Sequence, residues 1–138
     1  MPALRPAANA KPTDEKITIN VGFVDLGQID LLVQEGFYAN RTDLIRTAIR
    51  NQIAAHAEAV RQVVARRMLV LGIQHLAAAD LEAVRARRET LDVRVLGLLA
   101  IAPDVTPELA LQTVSSLVVL GSLHASPAVK AALAERLQ

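Results

Sequence analysis

The chain has no cysteine and no tryptophan, and its aromatic residues amount to 2%. Without thiols there is no cysteine nucleophile, no disulfide staple and no thiolate metal site, which fits a reducing compartment. The aromatics that exist, Phe23, Phe37 and Tyr38, share one short segment, so everything from Ala39 onward must pack with Leu, Val, Ile and Ala. That counts against a binder of single-stranded nucleic acid, which stacks bases on aromatic platforms. Long apolar runs are missing as well. No stretch approaches the roughly 20 residues of a membrane span, and Met1 to Lys16 has no apolar leader core. Charge of one sign is missing too: 15 Lys and Arg face 14 Asp and Glu, a net charge of +1. These absences lead us to expect a soluble, cytoplasmic protein that does not contact membranes. Aliphatic residues are abundant, since 52% of the 138 residues are hydrophobic. That suffices for one ordinary domain or two very small ones.

Residues 1 to 15 hold three of the six prolines with Ala and scattered charge, and are expected to form a flexible arm. From Lys16 to Val21 the segment KITINV alternates, with Ile17, Ile19 and Val21 on one side and Lys16, Thr18 and Asn20 on the other. This is the period of a half-buried strand. Asp25 then precedes Gln28 in capping-box spacing, and Gly36 offers a left-handed stop, predicting a helix from about Asp25 to Glu35. A second helix opens at Asn40, a good N-cap, with Leu44, Ile45, Ala48, Ile49 and Ile53 at helical period. Neither Gly nor Pro recurs before Gly72, so this helix is expected to continue as a stiff connector to about Arg66. One strand and two helices cannot cover the strand's apolar side within one chain. Pairing with a second copy would remedy the shortfall.

The second half repeats itself. MLVLGIQHLA (68–77), VRVLGLLAIA (93–102) and LVVLGSLHAS (117–126) align on Gly72, Gly97 and Gly121, at offsets of 25 and 24 residues. A helix signal follows each string: Asp80 before LEAVRARR, Thr106 before Pro107, and Ser126 before Pro127, the last two being a polar cap followed by proline at the first helical position. Three strand-then-helix units follow, in the period range of stacked repeats, with right-handed crossovers laying the strands into a small parallel sheet. A chance recurrence of Leu-Gly in an aliphatic chain is the competing explanation. Both alternating sets are apolar, Val70, Val95 and Val119 on one side and Leu71, Leu96 and Leu120 on the other. Helices cover only one side, so the other calls for a further subunit.

The order strand, short helix, then GFYANRTDLIRTAIRNQI from Gly36 to Ile53 resembles the ribbon-helix-helix family of DNA-binding proteins, the Arc, MetJ and CopG class. The resemblance covers about residues 15 to 55; the C-terminal half carries none. It implies an intertwined homodimer whose paired strands form an antiparallel ribbon in the major groove of double-stranded DNA. On that footing Lys16, Thr18 and Asn20 would face base edges, a suitable chemistry for guanine, for the thymine methyl and for adenine respectively. Asn40, Arg41 and Thr42 would clamp phosphate at the second helix's N-terminus. Ile17, Ile19, Val21, Ile29, Leu32, Leu44, Ile45, Ala48 and Ile49 would form the dimer core. Arg46 and Arg50 suit either a phosphate contact or a solvated face. The competing reading is a strand-helix-helix dimer with no nucleic acid. Nine basic against seven acidic residues through Arg67 leave little positive charge, so modest, salt-sensitive binding to single sites is expected, strengthened by linking dimers.

No enzyme or metal constellation emerges. Ser115, Ser116, Ser122 and Ser126 lack a partnering His and acid, and no glycine-rich phosphate loop occurs. Glu82 and Glu89 stand among Arg85, Arg87 and Arg88, where helix ion pairs are the ordinary role, with a second nucleic-acid contact as the alternative. His75 and His124 fall on the outer strands with Ala100 between them, too far apart for one metal, and His56 has no second ligand at i+4. Neither cofactor nor metal is expected.

The expected fold is therefore α+β: an arm (1–15), a ribbon-helix-helix domain (16–55), a helical connector (56–67) and a three-unit β/α repeat module with a small parallel sheet (68–138). The expected function is that of a sequence-specific transcriptional repressor, in which Val70, Leu71, Val95, Leu96, Val119 and Leu120 join dimers into tetramers or larger assemblies. Two alternatives stand beside it: an antitoxin that binds a toxin protein and represses its own operon, and a self-assembling DNA-associated scaffold.

Overall fold

The computed structural model describes residues 14–138, so the expected arm, apart from its last two residues, lies outside them. The chain divides into two compact units, Met1–Ala55 and His56–Gln138.

The first unit contains two helices, α1 (Phe23–Gln34) and α2 (Arg41–Ala55). Helix α1 starts two residues before the expected Asp25. Its N-cap is Gly22, with no side-chain bond, so the Asp25–Gln28 capping box does not form. Asp25 instead sits in the first turn, where a negative charge complements the helix dipole. The stop falls where the sequence places it. Gly36 has φ +85°, and the N–H groups of Gly36 and Phe37 donate to the carbonyls of Val33 and Leu32, a Schellman closure. Leu26, Ile29 and Val33 of α1 and Leu44 and Ile45 of α2 are half-buried, and the two helices touch. Residues 15–22 form neither helix nor strand in the single chain, and neither helix contains a buried residue.

The second unit opens with α3 (Ala57–Arg67), which ends on Met68 in the left-handed conformation. The expected continuous helix from Asn40 to Arg66 is interrupted at His56, whose φ and ψ are −103° and 15°. No glycine or proline stands there. Then follow β1 (Val70–Leu76), α4 (Ala78–Ala86), β2 (Leu91–Ile101), α5 (Pro107–Thr113), β3 (Val114–His124), α6 (Pro127–Leu133) and a closing 3-10 turn, Ala134–Arg136. The strands form one parallel sheet in the order β1-β2-β3. Leu71, Leu96 and Leu120 stand abreast, as do Gly72, Gly97 and Gly121.

Each helix that follows a strand begins on a defined cap. Thr106 Oγ1 accepts from Leu109 N–H and Ser126 Oγ from Val129 N–H, both at 3.2 Å, with proline at the next position. Helix α4 differs from the sequence reading: Ala77 is its N-cap, and Asp80 lies three residues in, accepting from Ala77 N–H at 2.9 Å. Asp104, from the turn after β2, accepts from Ala78 N–H at 3.2 Å and so helps to close that helix end.

Helix α5 lies between α4 and α6, and the three cover one side of the sheet. Leu81, Val95, Leu99, Leu117, Val129 and Leu133 are almost wholly withdrawn from water in one continuous core. Burying one such leucine stabilises the fold by about 1.5–3 kcal/mol. Thr113, the one buried polar residue among those described, donates its hydroxyl to the Leu109 carbonyl at 2.7 Å. Residues on the other side of the sheet are far more open, with Leu71 71% and Ile73 66% exposed.

The aligned glycines have a backbone cause. Their φ angles are +126°, +140° and +120°, a region that L side chains rarely adopt. A Cβ on Gly97 would also land on the Gly72 carbonyl oxygen, and one on Gly121 on that of Gly97, while at Gly72 the space is open. Gly97 and Gly121 thus each make room for the preceding strand.

Candidate nucleic-acid interface

In the first unit, the extended segment exposes both of its sides. Lys16, Thr18 and Asn20 are open to solvent, and so are Ile17 at 75%, Ile19 at 65% and Val21 at 37%. A row of β-branched side chains left in water is unfavourable by roughly 25 cal/mol for each Å² that a partner would cover. The other residues expected in a dimer core divide in two. Ile29, Leu32, Leu44 and Ile45 are half-buried, whereas Ala48 and Ile49 are exposed. Phe23, Val24, Leu31 and Phe37 are exposed as well. Their apolar character marks them as further candidates for cover, yet they fall outside the alternating and helical stripes that the sequence reading followed.

The start of α2 is tightly built. Asn40 Oδ1 accepts from Asp43 N–H at 2.8 Å, the bond of an N-cap to the third helical residue, and Asp43 Oδ2 accepts from Ala39 N–H at 3.0 Å. The side-chain oxygen of Asn40 is therefore engaged within the chain. The N–H groups of Arg41 and Thr42, at the first two helical positions, lie outside the helical ladder, as at every helix start.

The Arg41 side chain is engaged too. Its Nε donates to Asp30 Oδ1 at 2.7 Å and its Nη2 to Asp30 Oδ2 at 2.8 Å, a two-pronged pair joining α2 to the middle of α1. The hydrogen bond from Arg41 holds the Asp30 carboxyl below its ordinary pKa, and the same bond raises that of the guanidinium. Sequence reasoning missed Asp30. Its signal was present: a lone acid within the apolar stripe Leu26, Ile29, Val33. Arg46 and Arg50 are exposed and form no ion pair among the described residues.

In the second unit the six residues expected to join dimers do not act alike. Val95 belongs to the chain's own core and Val119 packs against it, because the three helices already cover that side. Val95 is thereby withdrawn from any further subunit, which corrects the sequence reading for that residue, while Val119 is half-buried. Val70, Leu71 and Leu120 are exposed and Leu96 is half-buried. The arginine cluster on α4 and after it is engaged within the chain, Arg85 with Glu82 and with Gln112 of α5, and Arg87 with Glu89. His75, Ala100 and His124 lie abreast, and no group of three metal-ligating residues occurs among the described residues. No helix among those residues is long and apolar enough to cross a membrane.

No curated protein and no solved structure matches the chain. A sequence family does, and its match spans residues 12–130, reaching beyond α1 and α2 through the sheet and into α6. An uncovered alternating segment, two helices joined at Gly36 and an open helix start are thus one part of a longer family pattern. The chain belongs to the ribbon-helix-helix transcriptional regulator family, whose members bind DNA and usually dimerise.

Proposed function

We propose that the protein is a sequence-specific repressor in which two chains pair their Lys16–Val21 segments into an antiparallel ribbon that enters the major groove. The observation that carries this reading is the exposure of Ile17, Ile19 and Val21 in a unit whose two helices bury nothing completely. A second copy of the same segment would cover those side chains and turn Lys16, Thr18 and Asn20 together toward the bases. Asn40, Arg41 and Thr42 would lie against phosphate, the first through its position at the helix start, since its side-chain oxygen is engaged. A gel-shift series tests the reader: Asn20→Ala should bind a duplex selected from random DNA more weakly than the parent does, with relaxed preference at one base position. Equal affinity and equal preference would remove the strand from the interface.

We further assign assembly beyond the dimer to the open side of the sheet, through Leu71, Leu96 and Leu120; Val70, in register with Val95, lies on the helix-covered side. A repressor with modest affinity for single sites gains occupancy when neighbouring dimers are joined. Light scattering on the full chain should show a species larger than a dimer, and Leu71→Arg should reduce it to a dimer. The self-contained core of the second unit speaks against an antitoxin tail that folds only on its toxin.

A further inference from the structure

We propose that Asp30 is a positioning residue for DNA binding: it grips one edge of the Arg41 guanidinium and turns the other outward, so that Arg41 meets a phosphate already oriented. This rests on the DNA-binding reading above.

A guanidinium carries five N–H donors in a rigid planar fork. The two bonds to Asp30 use one donor on Nε and one on Nη2. Both Nη1 donors and the second on Nη2 remain, and no other carboxylate pairs with Arg41 among the described residues. The side chains of Arg41 and Asp30 are 56% and 39% exposed, so the pair is open to solvent.

Arg41 is also the first residue of α2, where the helix dipole disfavours a cation. An arginine there would ordinarily swing away on a long, mobile side chain. Asp30 offsets that repulsion and anchors the side chain across the Gly36 turn. The ordering is thus done before DNA arrives, which lowers the entropy lost on contact.

The opposite reading is that Asp30 merely neutralises Arg41. The two readings differ in sign. Removing a negative charge beside a polyanion ordinarily tightens binding, whereas removing a positioning group weakens it. The test uses the full chain and a mixed-sequence DNA duplex over a series of salt concentrations. Asp30→Asn should bind roughly three- to tenfold more weakly at low salt, and the slope of log affinity against log salt should fall by about one per chain. Arg41→Lys should weaken binding similarly, because one ammonium cannot replace a planar fork held on one edge. Binding by Asp30→Asn that equals or exceeds that of the parent overturns the proposal.

The double exchange Asp30→Arg with Arg41→Asp keeps the ion pair but moves the cation to α1. It should melt near the parent temperature and bind DNA more weakly than either single variant. Full binding by the exchanged protein would show that the place of the cation does not matter, and would equally sink the idea. If the parent itself shows no salt-dependent binding to the duplex, the DNA-binding reading fails and this proposal with it. Binding by the parent without weakening in Asp30→Asn overturns this proposal alone.

Discussion

The two units draw on the same aliphatic residues and use them in opposite ways. From His56 onward, the chain closes three parallel strands and three helices around a core in which Leu81, Val95, Leu99 and Leu133 have lost essentially all contact with water. The described residues before it contain two well-formed helices and not one buried side chain. Local structure is equally regular in both, since the Gly36 closure and the Asn40 cap are as well made as the Thr106 and Ser126 caps. What differs is the number of layers one chain can supply. A three-stranded sheet with three helices makes two layers, whereas one unpaired segment with two helices leaves its apolar side open. Sequence hydrophobicity therefore measures the need for burial and does not say which chain will meet it.

The largest expected effects would break the second unit's self-sufficiency. Gly121→Ala forces a side chain onto the Gly97 carbonyl at a backbone angle that already disfavours it. We expect a loss above about 3 kcal/mol, combining left-handed strain with the clash, and a fall in melting temperature of more than about 10 °C. Gly72→Ala meets open space, so only the conformational part, about 1–2 kcal/mol, should appear. Equal losses at the two positions would mean that the close approach of the strands has no energetic role. Leu99→Ala, a cavity in the centre of the same core, should cost about 2–5 kcal/mol by chemical denaturation.

The first unit should fail in another manner. With no internal core, its stability should depend on protein concentration, as it does when folding and association are one event. Ile19→Asp should abolish that dependence together with DNA binding, because it places a charge where the second strand's apolar side would lie. The second unit's core should survive the change, observable as a remaining cooperative transition. A first unit whose melting ignores concentration would break the contrast between the two.

How much of this was legible in the sequence follows from the range of each interaction. Signals confined to a few residues were readable: the glycine stop at Gly36, the caps at Asn40, Thr106 and Ser126, and the strings aligned on Gly72, Gly97 and Gly121, whereas the alternating Lys16 to Val21 forms no strand in the single chain. The true start of α1 was not, because Asp25 suits both an N-cap and a first-turn acid, and nothing nearby decides between them. The pairing of Arg41 with Asp30 spans 11 residues and two helices, and it depends on how the Gly36 turn aims α2. Val95 and Leu96 look equally apolar in sequence. Only the placement of the helices sends the first into the core and leaves the second half-buried on the open side.

The smallest effect separates the units by pH. In the second, Asp92 accepts from Ser116 Oγ and from Arg94, and these hydrogen bonds hold its carboxyl below the ordinary pKa. In the first, Arg41 does the same for Asp30. A carboxylate whose pKa is lower in the folded than in the unfolded state contributes stability that is fully present above the unfolded value, about 3.9, and lost as pH falls through the folded value. Both contributions should therefore be intact at neutral pH and fade only in the acid range below about pH 4. All these groups are exposed, so salt and solvent screen the pairs and the effects should be small. Asp92→Asn should flatten the acid limb of melting temperature against pH for the second unit while leaving that of the first unchanged, and Asp30→Asn should do the converse. An acid limb that shifts in both units with either substitution would show that the two do not titrate independently.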